Sequence, residues 1–210
     1  MMKRFMILAA FAMALAVSSV SASATAYYFT PNPPDLNELT HQEAYRWGIN
    51  LSIPSTETIT SASLSFRKIY DWQHESNRLY CSLLNNKPGV PFKPLKVFTD
   101  NEAVGNYFNS WAWGKTDLHT YTNLSTNPTD ITYNFTPGQL TALQSYLSDG
   151  NCAIAIDPDC HFYNCGIKLT IETECLHPPS SIVPEPSTLV LVLAGLAMAG
   201  GGRFLLRRRK

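Results

Sequence analysis

Period-two alternation is the feature that most restricts what this chain can fold into. Apolar side chains occupy every second position at Ala62, Leu64 and Phe66, at Leu79, Cys81 and Leu83, and at Ile131, Tyr133 and Phe135. A fourth run passes through Ile167, Leu169 and Ile171 to Thr173. Successive residues of a strand point to opposite faces, so each run buries one face and leaves the other to solvent. Residues 97–99 and 152–156 add two shorter strands. Between the runs stand Asn85-Asn86-Lys87-Pro88-Gly89 and Asn127-Pro128-Thr129-Asp130, whose backbone preferences suit turns. Many short strands separated by such turns predict a mainly β domain, an antiparallel β-sandwich, over residues 59–175.

One segment departs from this period. Thr136-Pro137-Gly138-Gln139 opens a helix: Thr136 caps the free amides, Pro137 suits the first helical position, and Gln139 completes a capping box. Leu140, Leu143 and Leu147 share its inner side, and Gly150 gives a left-handed stop. The sandwich is therefore expected to carry one short helix across an open end. The Pro-, Asn- and Thr-rich stretch 27–58 reads as an N-terminal extension with a short helix over 36–47.

Both ends of the chain are addressing segments. Lys3 and Arg4 precede an uncharged run over 5–17, followed by Ala22-Ser23-Ala24 and Ala24-Thr25-Ala26. That is a signal peptide over 1–26, its apolar run shorter than the roughly 20 residues of a membrane span. At the other end, a Pro- and Ser-rich linker over 176–182 leads to Val183, Pro184, Glu185 and Pro186, then an apolar stretch and Arg207-Arg208-Arg209-Lys210. With Arg203 snorkelling to the interface, 187–206 is long enough for one transmembrane helix. The basic end stays cytoplasmic by the positive-inside rule, which leaves the domain outside the cytoplasmic membrane.

The Pro184-Glu185-Pro186 motif, the small-residue apolar helix and the basic end resemble the PEP-CTERM sorting signal over 183–210. The resemblance implies an exosortase as processing partner, with Val183 to Pro186 as the processing motif. It further implies delivery to the cell surface or exopolysaccharide matrix of a Gram-negative bacterium. The stretch from about residue 59 to 174 also resembles jelly-roll or galactose-binding-like sandwich domains of other PEP-CTERM proteins. That resemblance rests on Leu64-Ser65-Phe66 leading to Ile69-Tyr70-Asp71-Trp72, on residues 79–84, and on 155–164 with the strand after it. It implies a fold and no reaction.

The net charge of zero hides an asymmetry. Residues 27–182 hold nine Lys or Arg and fifteen Asp or Glu, a net of −6, and the basic excess sits at the ends. An acidic domain without a basic stripe excludes nucleic acid as a partner. All five cysteines (Cys81, Cys152, Cys160, Cys165 and Cys175) lie in the exported part, where disulfides can form. Five is odd, so one at least stays outside any intrachain pairing. Their spacing does not give the CxxC pairs of a structural zinc site.

The densest polar constellation is Asp157-Pro158-Asp159-Cys160-His161-Phe162-Tyr163-Asn164. Asp157 and Asp159, joined by Asp71 or Asp100 from a neighbouring strand, would offer the carboxylates that a structural calcium ion requires. The same residues also suit an ordinary turn whose side chains bond to nearby amides. Cys160 and His161 are adjacent and point apart, so a catalytic dyad would need other partners. No nucleophile elbow, zincin helix or phosphate loop is present. Aromatic residues carry the second site expectation. Trp111 and Trp113 lie in Tyr107-Phe108-Asn109-Ser110-Trp111-Ala112-Trp113-Gly114, and Trp72 stands beside Asp71. Flat rings flanked by amides and carboxylates suit sugar faces and hydroxyls, although rings also serve as core. The expected role is a non-catalytic structural or carbohydrate-binding one, with an extracellular enzyme acting on polysaccharide or another polymer as the alternative.

Overall fold

The computed structural model describes residues 24–72, 77–86, 93–101 and 103–176. These residues form ten strands in two antiparallel sheets. The first sheet runs β1 (Ala24–Phe29), β10 (Ile167–Cys175), β3 (Glu57–Asp71) and β7 (Thr129–Asn134), with β9 (Phe162–Tyr163) paired to the end of β3. The second runs β5 (Leu95–Thr99), β2 (Glu43–Asn50), β8 (Asn151–Pro158), β4 (Arg78–Asn85) and β6 (Lys115–Thr122). Apart from β5 and β9, the chain order places first strand beside last in one sheet and second beside second-to-last in the other. That interleaving is the jelly-roll form of the β-sandwich.

The alternating residues meet as expected. Ala62, Leu64 and Phe66 of β3, Leu79, Cys81 and Leu83 of β4, and Ile167, Leu169 and Ile171 of β10 are buried in one core. Tyr133 and Ile131 of β7 pack against it from the edge. Helix α1 (Pro137–Tyr146) joins β7 to β8 and so crosses from one sheet to the other. Gln139 Oε1 accepts from the Thr136 amide at 2.8 Å, which closes the capping box, and Gly150 holds φ +83 at the stop. Leu143 and Leu147 are buried, and Leu140 is partly so. The side chain of Gln139 is buried as well. It accepts from Tyr133 Oη at 3.0 Å and donates to the carbonyls of Asp117 and Leu118, tying the helix to β6 and β7.

The N-terminal boundary of the domain is corrected by the structure. Residues 27–58 are not an extension: β1 pairs with β10, and β2 lies between β5 and β8 in the second sheet. The helix expected over 36–47 is replaced by turns and by β2. Tyr45, Trp47 and Ile49 of β2 face the main core, while Ala44 belongs to a second apolar cluster on the opposite face. The alternation of Tyr45, Trp47 and Ile49 with Ala44, Arg46, Gly48 and Asn50 is present in the sequence, and assigning 36–47 to a helix cuts across it.

The second cluster comes from the long β5–β6 connection, which folds over the outward face of the second sheet. Phe108 packs there with Ala44, Leu84, Ala153 and Ala155, bordered by Phe98 and Trp111. The outward face of the first sheet is different in kind. Its positions are Ser63, Ser65, Thr132, Asn134, Lys168 and Thr170, with Tyr28 at its edge strand 66% exposed.

All five cysteines are free thiols, so the expectation of disulfides is not met. Cys81 and Cys152 are on neighbouring strands, but their partners across the ladder are Ile156 and Asn85. Four residues of offset amount to about 13 Å, well beyond the roughly 7 Å limit for bridging two Cα atoms. The compact unit is Ala22–Leu176. The signal peptide over 1–26 up to residue 23, the linker beyond Leu176, the sorting motif over 183–210 and the transmembrane span over 187–206 lie outside the described residues. No described helix is long and apolar enough to cross a membrane.

Candidate functional site

Asp157 and Asp159 lie two apart at the end of β8, on the side that faces the β5–β6 connection. Asp157 is wholly buried, and its Oδ2 accepts from the Tyr107 amide at 2.6 Å. Asp159 accepts from the Gly105 amide at 3.3 Å, and its own amide donates to the Arg78 carbonyl. Asn106 caps the short turn that follows, with its Oδ1 accepting from the Phe108 amide at 2.9 Å. The two carboxylates therefore clasp the connection that covers the outward face. Asp100, just after β5, is the third carboxylate of this neighbourhood, and its amide donates to the Gln42 carbonyl at 2.8 Å. Burial pushes the Asp157 carboxyl up to about 7; the Tyr107 amide opposes that shift, and Asp100 and Asp159 add to it.

The calcium set expected from the sequence is not assembled. Asp71, at the end of β3 in the first sheet, is buried and accepts from Asn77 Nδ2 and from Cys160 Sγ. Asp157 and Asp159 are engaged elsewhere, by the amides of Tyr107 and Gly105. Among the described residues, no group of three His, Cys, Asp or Glu side chains is arranged to hold a metal. Cys160 and His161 do point apart: the thiol is buried against Asp71, while the imidazole ring lies 5.5 Å from Trp72.

The aromatic residues separate into two groups. Trp111 borders the second cluster, its Nε1 donating to the Asn85 carbonyl at 2.9 Å. Trp113 is 41% exposed and meets Trp111 edge-on, at 79° between ring planes, so the two do not form one flat platform. Trp72 stands in another setting, on the first sheet. Its ring lies 5.9 Å from Tyr163 at 37°, and Tyr163 lies 5.5 Å from Tyr70 at 31°. Trp72 and Tyr163 are each about 40% exposed. Tyr163 thus contacts both Tyr70 and Trp72 where β9 pairs with β3, because Tyr70 sits opposite Tyr163 in the ladder.

Sequence reading singled out Trp72 and missed Tyr70 and Tyr163 as its companions. The signal for Tyr70 was present, since residues two apart on a strand share a face. Tyr163 was not accessible in this way, because it arrives from a two-residue strand 93 positions away in sequence.

Comparison with known proteins adds one match, in the terminal segment beyond the jelly roll. No curated protein matches the chain. The family model of the PEP-CTERM protein-sorting motif matches residues 183–210. The chain thus carries a PEP-CTERM sorting motif, an exosortase recognition tag, and is an exported protein with a β-sandwich domain ahead of that tail.

Proposed function

We propose that the exported domain is a non-catalytic carbohydrate-binding component of the cell surface or exopolysaccharide matrix of a Gram-negative bacterium. The observation that carries this reading is the exposed patch of Tyr70, Trp72 and Tyr163. Side chains of this size are ordinarily buried, and here Trp72 and Tyr163 leave about 40% of their surface to solvent with 37° between their planes, while Tyr70 lies at 31° to Tyr163. Such rings offer the apolar surface that the C–H face of a sugar requires. The hydroxyls and amides on the outward face of the first sheet supply partners for sugar hydroxyls. A sorting tail that delivers the domain to the outside places it where polysaccharide is abundant.

Isothermal titration of the full chain in detergent against the polysaccharide secreted by the producing cells tests this. Saturable heat that disappears in the Trp72→Ala, Tyr163→Ala double variant and persists in Trp113→Ala supports the reading. No heat with the unaltered protein, or equal heat with the double variant, refutes it.

A further inference from the structure

Beside the aromatic patch, the first sheet carries a groove of about 460 Å³ lined by Ser65, Arg67, Asp130, Thr132 and Lys168. The ladder puts Lys168 opposite Ser65 on β10 and β3, and Ser65 opposite Thr132 on β7, so these three form one row across the sheet. The next row is irregular. A bulge between Phe66 and Ile69 inserts one extra residue into β3, and Arg67 and Lys68 both emerge into solvent. Lys68 takes φ +49, with its amide donating to Asp130 Oδ1 at 2.7 Å. The Arg67 guanidinium is oriented by one bond, to the Cys165 carbonyl at 2.7 Å. The Lys168 ammonium lies 5.8 Å from the centre of the Tyr28 ring.

The charge here is opposite to that of the domain as a whole. Neither Arg67 nor Lys168 forms a salt bridge among the described residues, where the ion pair is Lys115 with Asp117. The carboxylate in the groove is Asp130, which is engaged by the Lys68 amide. Glu172 lies farther along the same face and accepts from Ser61 Oγ at 2.7 Å. Two cations therefore meet one carboxylate in the groove, within a domain of net charge −6. The groove and the aromatic patch are neighbours along β3, although Tyr70, Trp72 and Tyr163 do not line the groove itself. Arg67 stands three residues before Tyr70 on β3, the Cys165 amide donates to the Arg67 carbonyl, and Tyr163 pairs with Tyr70, so the cation and the rings share one edge of the sheet.

We infer that groove and patch form one binding track, and that its ligand is an acidic glycan, a polymer of uronic-acid units. Its carboxylates reach Arg67 and Lys168, while sugar faces stack on Trp72 and Tyr163. This inference rests on the carbohydrate-binding reading and adds the charge of the ligand to it. Arg67 is the better carboxylate partner, because its planar fork matches two oxygens and is already held at one side.

The test uses the full chain in detergent, with immobilised polygalacturonate, alginate and polyglucuronate, each beside the same polymer after chemical reduction of its carboxyl groups. At least one polyuronate is expected to bind, about tenfold more tightly than its reduced form at low salt, with that preference shrinking as salt rises. The Arg67→Gln, Lys168→Gln double variant should lose the preference and bind both forms as the reduced polymer is bound. Equal affinity of the unaltered protein for acidic and reduced forms overturns the acidic-ligand inference while leaving carbohydrate binding intact. A preference that survives the double variant overturns the assignment of the groove. Failure to bind any polymer, in either form, overturns the acidic-ligand inference, and the carbohydrate reading then stands or falls on the titration with the secreted polysaccharide.

Discussion

Replacing Asp157 by Asn should remove a pH dependence from the stability of the domain. Asp157 is wholly buried at the end of β8, its Oδ2 satisfied by the Tyr107 amide while Oδ1 has no hydrogen-bond partner. Burial is the largest cause of its raised pKa, with Asp100 and Asp159 adding to it and the Tyr107 amide resisting. The unfolded chain releases this proton near the ordinary value of 3.8, the folded domain near about 7. Between those values the folded state holds a proton that the unfolded state has lost, so stability falls as pH rises and levels off above about 8. Full ionisation costs the folded state up to about 4 kcal/mol by this linkage. Asn keeps an oxygen for the Tyr107 amide and cannot ionise. Urea unfolding of Ala22–Leu176, followed by tryptophan fluorescence at several pH values from 5 to 8, measures the effect. The unaltered domain should lose more stability than Asp157→Asn over that range, and the variant should be the more stable at pH 8. Asp100 is also pushed up, by burial first, and because its charge repels that of Asp157 the Asn variant relieves both carboxylates in the same direction. Parallel stability profiles for the two proteins would refute the reasoning.

Other expectations follow from single contacts. Gln139→Ala should destabilise the domain by about 3 kcal/mol in the same unfolding assay, because it strands the carbonyls of Asp117 and Leu118 and opens the capping box. Leu143→Ala, which empties a fully buried position under the helix, should cost about 2–5 kcal/mol. A domain beginning at Tyr27 instead of Ala22 loses Ala24, Thr25 and Ala26 from the β1–β10 ladder, and should show faster amide exchange along β10. In a folded-state labelling experiment with iodoacetamide read by mass spectrometry, Cys165 should react first, while Cys81 and Cys152 stay protected. Burial both hides the latter two thiols and pushes their pKa values far above the usual range.

The sequence by itself determined the sandwich, the helix and the address. Alternation at β3, β7 and β10 was legible because each of these strands has one wet face, so the pattern survives in the residue types; β4 was legible through Leu79, Cys81 and Leu83 although Ser82 and Leu84 of its other face are buried as well. Thr136 to Gln139 was legible because capping is a local contact among neighbours. The tail was legible because its match depends on an order of residues in the chain rather than on packing. Tertiary structure alone decided the rest. It placed β2 in the middle of a sheet, covered on both sides by residues remote in sequence. It engaged Asp71 with Asn77, and Asp157 and Asp159 with the amides of the β5–β6 connection, turning an expected cation set into a buried bond and a loop clasp. It also brought Tyr163 beside Tyr70 and Trp72, and Lys168 to the groove that holds Arg67. Those juxtapositions depend on which strands pair and in what register, and register is set by the whole buried face rather than by the few side chains it happens to bring together.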